Sequence, residues 1–178
     1  STAEHMQLCD LLGFPRLKYL HMPTINIEDN GKKRKLSKRK DPQALVMNLI
    51  DAGYPRDAIF EYLLTIYNSD FELWRTANPL APLTAYEFKI NKIGTNNPLF
   101  DLPKFNDIAK NVWARYDHET MIKYFNAWNW QKLPQITPTI KTRIEAMLGV
   151  ERGGERPRKD LTKFEDLPEL YSYLWDEI

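Results

Sequence analysis

The sequence is poor in the residues that build disulfide-linked and metal-centred proteins. Its 178 residues include one cysteine, Cys9, and three histidines. A single cysteine excludes an internal disulfide framework and a cysteine-based zinc knuckle. The histidines are His5, His21 and His118. They are too scattered to form a metal site on their own. We therefore expect no metal ligands in this chain and a reducing, cytoplasmic environment.

Long apolar runs are also absent. Even the longest uncharged apolar runs, such as Leu63-Leu64 with their neighbours, are too short to span a membrane. The first ten residues already contain Glu4 and Asp10, which is not typical of a secretory leader. The composition, 43% hydrophobic and 28% charged, is that of a globular protein. We expect one domain or parts of two, with no membrane partner.

Positive charge is concentrated in one short segment. The net charge is only +1, but residues 31–40 read Gly-Lys-Lys-Arg-Lys-Leu-Ser-Lys-Arg-Lys, with seven basic side chains and no acidic one. The remaining sequence has 18 basic and 24 acidic side chains. This asymmetry is not that of a uniformly basic protein that coats nucleic acid, and it predicts a localised anion as the partner.

The hydrophobic pattern predicts a mainly α-helical fold with little strand. Each predicted helix starts at a capping residue or a proline and ends near a glycine or at the end of an apolar stripe. The predicted helices cover residues 1–13, 42–53, 55–67, 117–128, 137–149 and 167–175. Asp41 is predicted to cap the second of them. Two capping-box spacings, Ser69 with Glu72 and Thr84 with Glu87, predict further helix starts.

Strand signals are confined to the region before the basic segment. Residues 20–27 have strand-forming side chains interrupted by Pro23, which predicts an edge strand or an extended segment. Residues 28–31 form a turn signal, and residues 91–98 have the composition of a loop. We expect the basic segment to be a mobile loop, because its like charges repel one another.

Two further features have more than one interpretation. Ser1 and Glu4 have capping-box spacing, and residues 174–178 stop inside an apolar periodic stretch. We interpret the sequence as a piece of a longer chain; a short natural protein without its initiator methionine is the alternative. The five tryptophans are Trp74, Trp113, Trp128, Trp130 and Trp175. We expect them to pack between helices, with nucleobase stacking as the alternative.

A motif within the basic segment carries more information than its charge. Lys35-Leu36-Ser37-Lys38-Arg39 lies after an extended segment and before a predicted helix. Two ammonium groups separated by Leu-Ser can approach different phosphate oxygens, and the hydroxyl and backbone N–H groups add donors. Phosphoryl or adenylyl transfer needs such charge stabilisation and no nucleophile from the loop. The ordinary alternative is a solvated charged loop or a localisation signal.

This motif resembles the "KMSKS" signature of class I aminoacyl-tRNA synthetases, in the version of the bacterial-type glutamyl-tRNA synthetases. Leu36 and Arg39 depart from the general consensus and agree with the glutamyl version. Similar segments of that family correspond to residues 1–8, 21–23, 29–33, 53–63, 100–105 and 158–177. Asn106-Asp107-Ile108 departs from the family's Trp-x-Asn stretch, and residues 70–98 are longer and less regular.

The resemblance implies an architecture in three parts. Residues 1–35 would be the end of a Rossmann-type catalytic domain leading into the signature loop. Residues 36–112 would form a stem-contact α-helical domain with minor β structure. Residues 113–178 would begin a helical anticodon-binding region. A glutaminyl-tRNA synthetase is the nearest alternative, but its anticodon-binding part is built from β-barrels, whereas residues 113–178 have helical patterns.

The resemblance also implies an activity and its site residues. The whole enzyme would activate L-glutamate with ATP and Mg²⁺, transfer it to tRNA(Glu), and act as a monomer. Lys38, supported by Lys35, would stabilise the ATP phosphates. Ser37 would hold the loop or donate a hydrogen bond, and Leu36 would anchor it by packing. Arg39 and Lys40 would contact the phosphates or the tRNA acceptor end.

A second basic region, Arg152, Arg156, Arg158 and Lys159, is a candidate tRNA backbone contact. Neighbouring acidic residues, Glu151, Glu155 and Asp160, make a solvated loop the alternative. No His-x-Gly-His sequence occurs in the 178 residues. We therefore expect the chain by itself to be inactive. Two alternatives to the enzyme remain open: a non-catalytic tRNA- or RNA-binding module, and a helical protein-interaction domain with an incidental basic loop.

Overall fold

A computed structural model describes residues 2–152, 154 and 156–175. The predicted cap Ser1, the acidic Glu155 and residues 176–178 lie outside the described residues. The helices are α1 (Thr2–Leu11), α2 (Val46–Asp51), α3 (Arg56–Tyr67), α4 (Phe71–Ala77), α5 (Leu102–Arg115), α6 (His118–Ala127), α7 (Pro138–Leu148) and α8 (Leu167–Leu170). The strands are β1 (Asn26–Asp29) and β2 (Lys32–Lys35). Short 3₁₀ turns connect these elements, and the prediction of a mainly α-helical chain is confirmed.

Side-chain caps fix the starts of the central and C-terminal helices. The Asp117 carboxylate accepts a hydrogen bond from the Thr120 backbone N–H and opens α6, as predicted. Thr137 opens α7 in the same way, with Pro138 in the first turn. Asp101 caps α5 by accepting from the Lys104 N–H. Although α5 is the longest helix described, with 14 residues, the helix pattern did not predict it.

Three of the predicted helix signals are wrong in detail. Helix α4 begins at Phe71 after Asp70, and no Ser69 side-chain cap forms. The Thr84 signal produces only a 3₁₀ turn, Leu83–Ala85. The predicted helix over residues 167–175 is divided into α8 and a 3₁₀ turn, Ser172–Trp175.

The two strands form an antiparallel hairpin that includes half of the basic segment. Asn30 and Gly31 make the two-residue turn, both with positive φ (52° and 74°), which is the backbone that such tight hairpins require. Glu28 lies opposite Lys33, and Asp29 lies opposite Lys32. These cross-strand pairs of opposite charge offset the repulsion within the basic segment. The expectation that the whole segment is a mobile loop is therefore wrong for residues 32–35.

Two hydrophobic cores meet along α5. The first contains Leu49, Tyr54, Ala58, Ile59, Tyr62, Phe105, Ala109 and Val112. The second contains Trp113, Met121, Phe125, Trp128, Ile136, Ile140, Ile144, Leu148, Leu161, Phe164, Leu167 and Tyr171. The tryptophans pack as predicted: Trp113 is fully buried, Trp128 nearly so, and the other three lie at partly buried edges. Helix α5 therefore contributes buried side chains to both cores.

The N-terminal segment contrasts with this packed body. Helix α1 buries none of its side chains. Large apolar side chains in and after it are well exposed, including Leu11 at 83%, Phe14 at 61% and Leu17 at 61%. Across residues 2–152, 154 and 156–175, no helix combines the length and apolar character needed to cross a membrane.

Candidate functional site

The signature motif forms an exposed bend directly after the hairpin. Lys35 ends β2 and is exposed, whereas Leu36 and Ser37 are half-buried. Lys38 and Arg39 are exposed in the turn that follows. The side chains of Lys35, Lys38 and Arg39 make no hydrogen bond or ion pair with any other described residue. The motif is therefore neither inside a helix nor buried, and its cations are available to an external anion.

Another cation of the basic segment, Arg34, has all of its guanidinium contacts within the protein. Its guanidinium forms a bidentate pair with the Asp41 carboxylate, with N–O distances of 2.7 and 2.8 Å. Its Nε donates to the Asp29 carboxylate at 2.7 Å. In the sequence Arg34 is one more cation of the basic segment, whereas in the structure it connects β1, β2 and the end of the bend.

Asp41 closes the bend instead of capping a helix. Its side chain is 3% exposed and accepts a hydrogen bond from the Ser37 backbone N–H at 2.8 Å. The Asp41 backbone N–H donates back to the Ser37 carbonyl, also at 2.8 Å. No capping bond reaches the 3₁₀ turn Pro42–Ala44 that follows. The prediction of Asp41 as an N-cap is wrong because Arg34 and the Ser37 amide occupy its oxygens. Asp41, Arg34 and Ser37 are called the Asp41 clamp below.

The clamp depends on the ionised carboxylate. Hydrogen bonds from Arg34, and secondarily from the Ser37 amide, lower the pKa of Asp41 from 3.8 to about 2. Because the pKa in the folded protein is below its ordinary value, the stabilisation is present above about pH 4 and is lost as the pH falls towards 2. At neutral pH the bend is therefore held by a full negative charge.

Backbone hydrogen bonds anchor the hairpin to the helical body. The Leu36 N–H donates to the Ile25 carbonyl at 2.9 Å. Asn26 exchanges bonds with the segment before α5, donating to Pro98 and accepting from Phe100. The Tyr67 hydroxyl at the end of α3 donates to the Pro23 carbonyl at 2.8 Å. The bend is thus an exposed cationic loop on a fixed base, which suits charge stabilisation without reorganisation.

The donor set of this loop fits phosphate oxygens better than a metal ion. Three unpaired cations face solvent, whereas the nearby Asp29 and Asp41 carboxylates are taken by Arg34. In the part of the chain that the structure describes, no cluster of three or more His, Cys, Asp or Glu side chains is placed to hold a metal ion.

The second basic region is only partly available. The Arg152 side chain is fully buried, and its guanidinium donates to Asp160 at 2.7 Å. Arg158 pairs with the same carboxylate and donates to the Tyr171 hydroxyl at 2.6 Å. The solvated-loop interpretation is therefore wrong for these two arginines. Arg156 and Lys159 are exposed.

Removing the Asp41 charge is expected to loosen the bend. In Asp41→Asn, the charge-assisted bonds to Arg34 and Ser37 are replaced by weaker neutral ones. We expect trypsin to cleave after Lys38, Arg39 and Lys40 on the order of tenfold faster at pH 8. Mass spectrometry of the first cleavage products measures this. Asp29→Asn, which removes only one bond to Arg34, is the matched control with a smaller effect; equal cleavage rates in all three proteins would refute the clamp.

Comparison with curated proteins gives consistent matches over almost the whole chain. A glutamate–tRNA ligase of Acetivibrio thermocellus is 38% identical over 97% of this chain and 32% of its own length. A glutamate–tRNA ligase of Clostridium beijerinckii is 36% identical over 98% of this chain and 32% of its own length. A glutamate–tRNA ligase of Sorangium cellulosum is 34% identical over 98% of this chain and 34% of its own length.

These matches confirm the resemblance found in the sequence. The chain spans about a third of the length of the curated relatives it matches. No protein-family model matches the chain.

Proposed function

We propose that this chain, which is similar over almost its whole length to part of the glutamate–tRNA ligases, supplies such an enzyme with its phosphate-stabilising loop and with part of its tRNA-binding surface. The observation that carries the proposal is the exposed bend at residues 35–39, whose three cations have no partner among the described residues. Activation of L-glutamate by ATP would take place in the whole enzyme, with this chain contributing one side of the site.

The proposed chemistry assigns a role to each residue of the bend. In adenylate formation the glutamate carboxylate attacks the α-phosphate of ATP, the bond to the β-phosphate breaks, and pyrophosphate leaves with the negative charge. Lys38, assisted by Lys35, stabilises that charge as it moves onto the leaving group. The half-buried Leu36 anchors the bend, and the Ser37 backbone fixes its curvature through Asp41. Mg²⁺ belongs to the reaction of the whole enzyme, and no described residue is assigned to it.

The proposal also extends to the arrangement of the chain. Residues 1–35 are proposed to complete a Rossmann-type catalytic domain, 36–112 to contact the tRNA stem, and 113–178 to begin the anticodon-binding region. The exposed apolar side chains of α1 are consistent with the first assignment, because such side chains are usually covered in a complete protein. A cytoplasmic monomer that binds tRNA(Glu) completes the proposal.

Phosphate contacts should make binding of tRNA(Glu) strongly salt-dependent. We expect log K to fall linearly with log salt, by about 0.7–0.9 for each phosphate neutralised. The exposed cations Arg39, Lys40, Arg156 and Lys159 are the proposed contacts. Arg156→Ala with Lys159→Ala is expected to reduce the slope of log K against log salt by the contribution of about two phosphate contacts. Fluorescence anisotropy of labelled tRNA at several KCl concentrations provides the measurement.

The control for this titration is Lys18→Ala with Lys33→Ala, which removes the same charge from two exposed lysines outside the segments proposed to contact tRNA. It is expected to leave the slope close to that of the unaltered chain. Binding without any dependence on salt would contradict the phosphate contacts, and absence of binding at low salt would contradict the tRNA assignment as a whole.

A further inference from the structure

A second concave surface lies away from the signature bend, between the turn that joins α2 to α3 and the exposed side of α6. It is a cleft of about 750 Å³. Four aromatic side chains line it: Tyr54, Tyr124, Trp128 and Phe164. None of the residues of the bend takes part in it. A cavity of this size accommodates a ligand of the dimensions of a nucleotide.

The polar atoms of the aromatic walls are already satisfied within the protein. The Trp128 indole N–H donates to the Asp51 carbonyl at 2.7 Å. The Tyr54 hydroxyl donates to the Asn106 side chain at 2.8 Å. The walls therefore offer few unpaired donors. Tyr54, Trp128 and Phe164 are at most 9% exposed, so the half-buried Tyr124 is the ring of the lining that a ligand reaches most easily. A ligand that fills the cleft must itself have an apolar or aromatic face.

Tyr124 is the ring most suited to stacking. Tyr116 covers one of its faces, with the ring planes 20° apart and the centroids 5.2 Å apart. Trp113 packs against the same ring at a right angle, with the centroids 5.6 Å apart. Tyr124 is half-buried and lines the cleft, so part of its side chain borders the space that a ligand would occupy. An existing stack of two tyrosines is a rigid platform for a third ring, and every nucleobase has a face that can stack on it.

Two cations at the rim of the cleft have no bonding partner among the described residues. Arg56, the first residue of α3, and Lys123, on α6, are exposed and make no hydrogen bond or ion pair with the described part of the chain. The third basic residue of the lining, Lys132, differs from them. Its ammonium group donates to Glu165 at 2.8 Å and to the Asp51 carbonyl, and it lies 5.0 Å from the centre of the Trp128 ring.

The charge of the lining therefore favours an anion near Arg56 and Lys123. Among the described residues that line the cleft there is one acidic side chain, Asp51, against the three basic side chains of Arg56, Lys123 and Lys132. An aromatic platform beside two unpaired cations is the arrangement that proteins use to bind single-stranded nucleic acid. A purely apolar ligand would leave both cations unused.

We propose that this cleft binds one unpaired nucleotide of an RNA. Its base stacks on Tyr124, and its phosphate lies between Arg56 and Lys123. This inference rests on the proposed function, since it names a site through which the chain holds RNA. It assigns RNA contact to a surface that the sequence motifs did not indicate.

The test compares three probes that contain phosphate, of which two are oligomers with the same backbone. The chain is titrated with a short oligoadenylate, with the abasic ribose–phosphate oligomer of the same length, and with inorganic phosphate, and tryptophan fluorescence is followed because Trp128 lines the cleft. We expect oligoadenylate to bind at least roughly tenfold more tightly than the abasic oligomer, which is typical of one stacked base. Equal binding of the two oligomers would show an anion site without base stacking and would overturn the proposal.

Variants then assign the contacts. Tyr124→Leu is expected to abolish the preference for oligoadenylate, whereas Tyr124→Phe, which keeps the ring, retains it. Arg56→Ala with Lys123→Ala should weaken binding of both oligomers by at least fivefold, and Lys18→Ala with Lys33→Ala should not. Tyr124→Phe serves as the folded reference if Tyr124→Leu unfolds. If tRNA(Glu) still binds with a steep salt dependence while none of the cleft variants changes binding of the oligomers, the cleft assignment fails and the proposed function stands.

Discussion

Replacing Lys38 by alanine is expected to slow glutamate activation by about a hundred- to a thousandfold in a complete ligase that carries this segment. The estimate corresponds to about 2.7–4 kcal/mol, the effect of removing one preorganised charge-stabilising group from a transition state. Lys38 is exposed in a bend held by the Asp41 clamp, and its ammonium group has no partner among the described residues. Its charge is therefore available for the proposed stabilisation of the leaving pyrophosphate. ATP–pyrophosphate exchange measures the rate.

The control for this experiment is Lys33→Ala. Lys33 is a neighbouring exposed lysine, but it lies opposite Glu28 in the hairpin and outside the motif. We expect its loss to change exchange less than about threefold, a scale typical of a surface charge. Both variants should keep the unfolding temperature of the unaltered protein. Equal rates for Lys38→Ala and the unaltered enzyme would remove Lys38 from the proposed mechanism.

Comparing the effect of Lys38→Ala on the maximal exchange rate with its effect on the KM for ATP gives a second check. A charge that acts mainly on the leaving pyrophosphate contributes more to the transition state than to bound ATP. Lys38→Ala should then lower the maximal exchange rate more than it raises the KM for ATP. A rise in KM with an unchanged maximal rate would mean that Lys38 contributes to ATP binding alone.

The helices that could be predicted from the sequence are those whose start signal is local. Asp117 and Thr137 precede clear apolar stripes, and both cap the predicted helices. Asp101 and Pro103 give the same kind of signal before α5, so the start of this helix was also open to prediction from the sequence. The signals at Ser69 and Thr84 have the right spacing, yet no apolar stripe supports a full helix at the predicted position.

The site could be predicted only in part, for a similar reason. The motif at residues 35–39 is contiguous, so the sequence revealed it directly. The roles of Arg34 and Asp41 depend on the hairpin, which brings Asp29 and Asp41 to one guanidinium. The sequence signal for the pairing of Arg34 with Asp41 was the position of this aspartate directly after a segment with seven cations. Repulsion between like charges suggested disorder, whereas the acidic strand opposite the run made an ordered strand favourable.

Replacing Glu61 by alanine is expected to destabilise the fold by about 3–5 kcal/mol, the usual effect of breaking a buried ion pair from one side. The Glu61 side chain on α3 is 5% exposed and accepts from Arg75 of α4 at 2.9 Å and from Arg115 at the end of α5. One carboxylate thus ties three helices together. Burial already lowers the pKa of Arg75, against the opposing effect of Glu61. Without Glu61, two largely buried guanidinium groups would be left to repel each other.

Urea denaturation, monitored by circular dichroism, measures this loss in the free energy of unfolding. Glu72→Ala is the matched control. Glu72 lies on α4 and pairs with Lys104 at 2.8 Å, but its side chain is 61% exposed. Water and salt already screen that pair, so its loss should change stability by about 0–1 kcal/mol. Adding Arg115→Met to Glu61→Ala should recover part of the loss, because it removes one of the two unpaired charges. Equal effects at Glu61 and Glu72 would show that burial gives the three-helix tie no special strength.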